Sequence, residues 1–206
     1  MALLLAVINA NCQTKMTEGK IVYEITNKDT LINSILDLSR FNQMIYRFKG
    51  NKQRTDYIKP GYDSSAFIYD NKTYDAIYLQ NKNGIKTAKV YLFKKGGSMV
   101  RIPSKEPFKY NKDSKIISGY KCYKSKYVSG KDKSILYVYY TKDIHVPMPY
   151  DFIIPFNELK GFPMEFNSII QGREEITSVV NISFETIDAG IFEIPKDYKI
   201  EYIEKW

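Results

Sequence analysis

Short runs of β-branched and aromatic residues, each followed by a cluster of turn-forming residues, recur along most of this chain and constrain its fold more than any other feature. Residues 44–50 and 52–58, for example, meet at Gly50-Asn51, and Asp70-Asn71-Lys72 separates the next two runs. Turns of this composition connect neighbouring antiparallel strands. The pattern therefore predicts a meander of short antiparallel strands, which is typical of a mainly β domain.

Two further runs dominate the second half of the sequence. Residues 117–123 and 135–141 are rich in Tyr, Ile and Val, and residues 129–133 between them are turn formers and charged residues. We expect the two runs to be adjacent central strands with both faces covered, because the second run is too continuous in apolar residues to be half exposed. Residues 191–195 predict the last strand, whereas residues 97–112 contain two prolines and predict a long loop.

One segment has helical rather than strand spacing. Thr30 is a suitable N-cap, and the residues after it place a single apolar stripe on one helix face, formed by Leu31, Ile32, Ile35, Leu36 and Leu38. This helix has to bury its stripe, and an open sheet is the only large apolar surface available. Residues 144–158 contain three prolines, and we expect this irregular segment to fold back over a core or a cavity. The fold class that follows is mainly β, a β-rich α+β domain of about ten antiparallel strands with one clear helix.

The formal net charge of +8 is spread along the chain rather than clustered. Of the 31 basic residues, 26 are Lys and five are Arg, and the lysines are mixed with Asp and Glu along nearly every predicted strand and turn. Nucleic-acid sites usually rely on clustered, arginine-rich surfaces, so we expect no nucleic-acid partner. The charge favours a solvated lysine surface and leaves attraction to anionic lipid head groups open.

The first twelve residues have the composition of an export signal, and we assign residues 13–206 to a single domain. Residues 2–8 form an apolar run too short to span a bilayer, although no basic residue precedes it as in a standard signal. One processing route lipidates Cys12, which anchors the protein to a membrane peripherally. Another route cleaves after Cys12 and leaves Gln13 as the first residue. In a third interpretation the run is a buried strand of an unprocessed chain.

Five strings follow one another in a recognisable order: Glu18-Gly19-Lys20-Ile21-Val22-Tyr23, Gly119-Tyr120-Lys121-Cys122, Tyr139-Tyr140-Thr141-Lys142-Asp143-Ile144, Leu159-Lys160-Gly161-Phe162-Pro163-Met164-Glu165-Phe166 and Phe192-Glu193-Ile194-Pro195-Lys196-Asp197-Tyr198. This order resembles an uncharacterised family of exported bacterial proteins, many of them lipoproteins. That family belongs to the superfamily of the lipoprotein carrier and receptor of the outer-membrane sorting pathway (LolA/LolB-like). The third and fourth strings are also similar to a sister family named for its motif Gly-Leu-Pro-Gly-Leu-Ile (GLPGLI), from which Gly161-Phe162-Pro163-Met164 departs.

The resemblance implies an incomplete antiparallel barrel that curls around the helix and presents a concave apolar face. It implies no catalytic residues, because none is established in the family. It also implies export to the periplasm, or attachment to the outer membrane, in a Gram-negative bacterium. The residues around Cys12 match the lipidation pattern of the family's lipoproteins poorly.

The sequence contains no constellation that is typical of an enzyme. His145 is the only histidine, and we interpret it as an exposed loop residue. Ser118-Gly119-Tyr120-Lys121 has the Ser-x-x-Lys spacing of penicillin-recognising enzymes, but residues three apart on a strand point to opposite faces. Cys122 is expected to be a buried thiol without a disulfide partner, and the adjacent Glu174 and Glu175 diverge on a strand. We therefore expect a non-enzymatic protein without a metal or other cofactor.

A half-open barrel leaves part of its aromatic lining accessible, and Met and aromatic side chains adapt well to acyl chains. We therefore expect a cell-envelope protein that binds a lipid, an acyl group or another hydrophobic ligand in the concave face, in a groove lined by Ile32, Ile35, Leu36, Tyr137, Tyr139, Phe162, Met164 and Phe166. The alternative is an envelope interaction or structural module with a closed core, whose tyrosine-rich and lysine-rich faces hold a partner protein or a glycan. Extra exposed apolar surface in the groove distinguishes the first function from the second.

Overall fold

The computed structural model of the protein describes residues 16–27, 41–58, 64–92, 108–128, 135–149, 156, 158–170 and 173–204. The strands of the first half are β1 (Glu18–Asn27), β2 (Gln43–Lys49), β3 (Lys52–Ile58), β4 (Ser64–Asp70), β5 (Ala76–Lys82) and β6 (Ile85–Leu92). Those of the second half are β7 (Lys109–Ile117), β8 (Tyr120–Val128), β9 (Ile135–Thr141), β10 (Phe162–Ile170), β11 (Arg173–Ser183) and β12 (Lys199–Glu204). A short 3-10 helix, Ala189–Phe192, precedes β12.

These strands form one sheet in the order β12-β6-β5-β4-β3-β2-β1-β11-β10-β9-β8-β7. Neighbouring strands run antiparallel except at one edge, where β12 pairs in parallel with β6. The sheet is curved, as the right-handed twist of strands requires, and it is open because β12 and β7 are its two edges. The prediction of a mainly β fold with a curved, open antiparallel sheet is therefore confirmed.

The predicted number of about ten strands is too small, since the described residues form twelve. β7 begins at Lys109, inside residues 97–112 that the prolines predict to be a loop. Almost every residue of β7 is exposed, so it lacks the apolar alternation by which a strand is recognised. The prediction of a strand at residues 191–195 is wrong. Asp188 caps the 3-10 helix there, its carboxylate accepting a hydrogen bond from the Gly190 amide at 3.0 Å.

The run 117–123, predicted to be a central strand, contains the turn between β7 and β8. Ser118 and Gly119 have φ angles of 48° and 85°, which suit a two-residue hairpin turn. β8 and β9 are adjacent, as predicted, but β8 lies one strand from the edge rather than at the centre of the sheet. The helix predicted over residues 31–38 lies outside the described residues, and no α-helix is complete within the described ranges.

The larger core lies mainly on one face of the sheet, which we call the front face and which carries Ile21, Tyr23, Met44, Tyr46 and Phe48. The register explains this set, because Ile21 lies opposite Tyr46 and Tyr23 lies opposite Met44. Directly opposite residues of neighbouring strands share a face, as do alternate residues along one strand. All five side chains are buried.

Described residues between β9 and β10, among them Val146 and Met148, pack on this core. Ile144 and Phe156 are buried in it, and the Tyr46 hydroxyl donates a hydrogen bond to the Pro147 carbonyl at 2.8 Å. Burial raises the pKa of the Tyr46 hydroxyl well above its usual value, so the group remains a donor. The proline-rich segment thus folds back over a core, as its composition predicts.

The opposite face, which we call the back face, carries a second core. Its buried sheet residues come from β4, β5 and β6 and are Ala66, Ile68, Leu79 and Ala88. Residues 184–198, which we call the strap, cross this face between β11 and β12. Ile187 and Phe192 of the strap complete the second core. The strap therefore buries the back-face core, just as residues 144–149 and 156 bury the front-face core.

Charged side chains of β1 and β2 hold the start of the strap. The Lys49 ammonium donates to the Ile187 carbonyl and to the Glu18 carboxylate, both at 2.7 Å. Glu18 also accepts a hydrogen bond from the Ile187 amide at 3.0 Å. The hydrogen bond from Lys49, followed by the one from Ile187, lowers the pKa of the Glu18 carboxyl below its usual value. The strap is thus tied to the sheet through both of the backbone polar groups of one residue.

Gly161 occupies a position with no room for a side chain. A β-carbon added there would collide with the Thr141 backbone carbonyl and would lie 2.7 Å from the Tyr140 ring. Because backbone cannot move aside cheaply, we expect Gly161→Ala to lower the free energy of unfolding by about 2 kcal/mol in urea denaturation.

The matched control is Gly190→Ala, where the nearest atom to an added β-carbon is 3.5 Å away. We expect this variant to change the free energy of unfolding by no more than about 0.5 kcal/mol. Equal stability of the two variants would contradict the close approach of residues 161 and 141.

Candidate functional site

The structure buries the β10 residues that were predicted to line the groove. Phe162 is 2% exposed and Met164 is 0% exposed. Phe166 packs against the same core, with its ring centroid 5.0 Å from that of Phe156. These three side chains are brought together, but in a region where the chain's own segments cover them.

The two β9 tyrosines project from the other face of the sheet. Phe166 lies opposite Val138, so Tyr137 and Tyr139 on either side of Val138 point to the back face. Both are partly buried, and Tyr139 also packs against the larger core. The remaining predicted site residues lie outside the described residues, namely Ile32, Ile35 and Leu36 of the groove and Cys12 of the lipidation site.

A cavity of about 440 Å³ lies on the back face, where the strap faces β2 to β5. Its apolar wall includes Ala66 and Leu79 from the sheet and Ile191 from the strap. Its polar wall includes two serines and the side chains of a charged cluster. The complete lining is Arg47, Arg54, Asp56, Tyr57, Ile58, Ser64, Ser65, Ala66, Leu79, Ile191 and Tyr198. A volume of this size and a mixed lining are typical of small-molecule sites.

The charged cluster contains two guanidinium groups and one carboxylate. Arg54 binds Asp56 through Nε and Nη2, at 2.9 Å and 2.7 Å from Oδ1. Arg47 binds the other carboxylate oxygen, Oδ2, through Nη1 at 2.5 Å. The three side chains are only 17% to 27% exposed. Two positive charges against one negative charge leave one positive charge in a partly buried site, where Coulomb interactions are stronger than in water.

The two arginines have different roles in the geometry. Arg54 also donates from Nη1 to the Ile191 carbonyl at 2.6 Å, so it joins the sheet to the strap. Arg47 hydrogen-bonds Asp56 alone among the described residues, and its Nε and Nη2 remain available as donors. Its charge also acts on Glu185, a carboxylate whose hydrogen-bond partners are Lys20 and Ser183. A guanidinium with two unused donors binds a carboxylate or phosphate in a bidentate manner. Arg47 is therefore the group best suited to meet an incoming anion.

The sequence carried a signal for this cluster that composition and motif analysis did not use. Arg47 and Arg54 are symmetric about the predicted turn Gly50-Asn51, so a two-residue hairpin places them directly opposite each other. Like charges in that position destabilise a sheet unless a counter-ion lies between them. Asp56 alternates with Arg54 along β3 and therefore shares its face.

The other polar groups considered for chemistry lie elsewhere. His145 is exposed in the segment after β9. No group of three His, Cys, Asp or Glu side chains within the described ranges is arranged to hold a metal ion. Within the same ranges no helix has the length and apolarity needed to cross a membrane. Cys122 is buried, and it has no disulfide.

The buried position of Cys122 predicts an inert thiol. Burial raises the pKa of the Cys122 thiol to about 11, whereas a free cysteine has a pKa of about 8.5. In a Cys12→Ser variant we expect a thiol reagent at pH 8 to react roughly several hundred times more slowly with the native protein than with the unfolded protein. Because the pKa is higher in the folded state, the thiol favours folding at neutral pH, and this contribution is lost as the pH rises from about 8.5 towards 11. Equal reaction rates before and after unfolding would contradict the burial of Cys122.

Comparisons with known proteins point to the fold alone. No protein-family model and no curated protein matches the chain. Among solved structures the chain is similar to PNGF-II in space group C2, with 12% identity and a TM-score of 0.51 over 91% of this chain and 31% of that one. It is equally similar to PNGF-II in space group P21, with 12% identity and a TM-score of 0.52 over 92% of this chain and 32% of that one. The chain thus spans about a third of the length of PNGF-II and shares the fold of that part.

Proposed function

We propose that the protein is a non-enzymatic cell-envelope protein that binds a ligand with an anionic head and an apolar body, such as an acyl chain ending in a carboxylate. The ligand occupies the cavity between the strap and strands β2 to β5. The observation that carries the proposal is the excess guanidinium at Arg47 beside the apolar wall of Ala66, Leu79 and Ile191.

Each part of the cavity has a counterpart in such a ligand. Arg47 supplies a cation with unused donors for the head, and charge-assisted bidentate hydrogen bonds are the strongest that proteins make with carboxylates. Ser64 lies in the same lining and shares the back face with Ala66, so its hydroxyl is a further donor. The apolar wall accepts the body of the ligand, because removing apolar surface from water is favourable.

Burial argues against the groove on the front face as the ligand site. Phe162 and Met164 expose almost no surface to a ligand, so this part of the front face has the closed core that the alternative function requires. The strap cavity instead combines accessible apolar surface with a recognition group. The predicted export signal at residues 1–12 and the resemblance to exported proteins support location in the periplasm or at the outer membrane. The mass of the mature N-terminus distinguishes a lipidated Cys12 from a chain that begins at Gln13.

Binding of decanoate and of its uncharged analogue decanol, measured by isothermal titration calorimetry, tests the role of Arg47. We expect decanoate to bind and Arg47→Gln to weaken it at least tenfold, since a hydrogen bond to a charged group contributes about 1.5 to 3 kcal/mol. Decanol should bind equally weakly to both proteins, because it lacks the charge that Arg47 recognises.

The matched control is the double variant Lys20→Gln, Glu185→Gln, because Lys20→Gln alone would leave Glu185 unpaired while it interacts electrostatically with Arg47. Lys20 lies opposite Arg47 on the neighbouring strand and shares its face, but it pairs with Glu185 and is absent from the cavity lining. Decanoate affinity should be unchanged in this variant apart from weak long-range screening. If decanol binds as tightly as decanoate, or if both variants lose affinity equally, Arg47 is not the recognition group.

A further inference from the structure

A second positively charged surface lies on the back face of β7, β8 and β9, away from the strap cavity. Lys124 lies opposite Tyr139, and Lys126 lies opposite Tyr137. The Lys124 ammonium sits 4.7 Å from the centroid of the Tyr137 ring and 5.7 Å from that of Tyr139. The Lys126 ammonium sits 5.8 Å from the Tyr137 ring. Contacts of this kind hold the lysine side chains along the tyrosine rings and orient their ammonium groups.

The lysines of this surface are not neutralised by carboxylates, with one exception. Lys115 pairs with Glu165 at 2.6 Å. Lys109, Lys124 and Lys126 have no carboxylate within ion-pair distance among the described residues. Lys109 even lies directly opposite Lys126 on the neighbouring strand. Two like charges in that position repel each other, so the surface is preorganised to accept an anion from outside the chain.

An exposed apolar side chain lies on the same face, two strands from Lys124 and Lys126. Ile169 of β10 is 55% exposed; it shares the back face with Glu165, the residue opposite Tyr139, and it lies opposite Glu174 of β11. The Tyr137 amide donates to the Asn167 side chain at 2.5 Å, which fixes β10 beside this part of β9. The surface therefore combines ammonium groups without ion-pair partners, tyrosines with an apolar ring and a polar hydroxyl, and the exposed aliphatic side chain of Ile169.

We propose that this surface, formed by Lys109, Lys124, Lys126, Tyr137 and Ile169, docks on an anionic lipid bilayer. Ammonium groups are mobile point charges that interact with anionic head groups without requiring fixed geometry. Tyrosine is favoured at the boundary between apolar and aqueous phases, and an exposed isoleucine inserts its apolar surface below the head groups. The interaction is independent of the ligand cavity, because the two surfaces use different strands.

The arrangement of the Tyr137 and Tyr139 rings disfavours nucleic acids and acidic polysaccharides as partners of this surface. Nucleic acids and sugars bind to aromatic residues by stacking on open ring faces. The rings of Tyr137 and Tyr139 instead carry ammonium groups over their faces, with Lys115 at 4.3 Å from the Tyr139 centroid. A polysaccharide or nucleic acid would also gain nothing from the exposed side chain of Ile169.

Co-flotation of the whole protein with vesicles tests the proposal. We compare vesicles of phosphatidylcholine with vesicles that contain one part phosphatidylglycerol to three parts phosphatidylcholine, at low and at high sodium chloride. We expect binding to the anionic vesicles alone, with a strong decrease at high salt. The double variant Lys124→Gln, Lys126→Gln should bind about 25-fold more weakly, about fivefold for each lysine.

The matched control is the double variant Lys72→Gln, Lys82→Gln, which removes the same charge from two exposed lysines, one in the turn before β5 and one at the end of β5. We expect it to bind anionic vesicles within about twofold of the unmodified protein, because neither lysine lies on β7, β8 or β9. Ile169→Ser should weaken binding about tenfold and leave the salt dependence unchanged. Thermal unfolding of each variant verifies that it is folded.

Three results would overturn the proposal. The first is equal binding to neutral and anionic vesicles, or binding to neither. The second is an equal loss of binding in the two double variants, which would mean that net charge rather than this surface is responsible. The third is binding to soluble heparin, dependent on Lys124 and Lys126, without binding to vesicles, which would assign the surface to an acidic polysaccharide.

Discussion

The structure depends on one requirement, which is that a single open sheet must cover two apolar faces with segments of its own chain. Residues 144–149 and 156 pack on the front face, and the strap covers the back face at strands β2 to β6. Each is held by strand side chains that donate to its backbone carbonyls. On the front face, Tyr46 bonds to Pro147. On the back face, Lys49 bonds to Ile187 and Arg54 bonds to Ile191. A buried carbonyl without a donor would cost more than the hydrogen bond contributes, so these side chains determine where the covering segments lie.

The same requirement explains how the edges of the sheet are protected. β7 is an exposed edge with three lysines and an irregular register between Tyr110 and Ser114, and both features hinder pairing with another chain. The other edge, β12, is short and parallel to β6 because the strap carries the chain across the back face before β12 begins. Lys86 of β6 pairs with Asp197 at the end of the strap and so holds this crossing in place.

Local sequence patterns predicted the hairpins and the fold class. They could not predict the register between strands or the pairing of strands that are distant in sequence. The hairpin at Gly50-Asn51 and the adjacency of β8 and β9 follow from turn composition and strand propensity. Phe166 of the predicted groove lies on the face opposite Tyr137 and Tyr139, because the irregular register between Pro163 and Glu165 decides which side of β10 faces which side of β9. No sequence periodicity reveals that irregularity. The sequence also does not predict the parallel pairing of β12 with β6, since this pairing depends on the path of the strap across the sheet rather than on the residues of β12.

Hydrogen–deuterium exchange measured with and without decanoate tests the central claim, which is that a ligand binds under the strap rather than on the front face. We expect slower exchange at the Ile191 and Tyr198 amides and at the ends of β3 and β4 that line the cavity. Exchange in residues 162–166 should be unchanged. Slower exchange in residues 162–166 with an unaffected strap would contradict the account and return the ligand to the front face. No change in either region would contradict the binding of an acyl anion altogether.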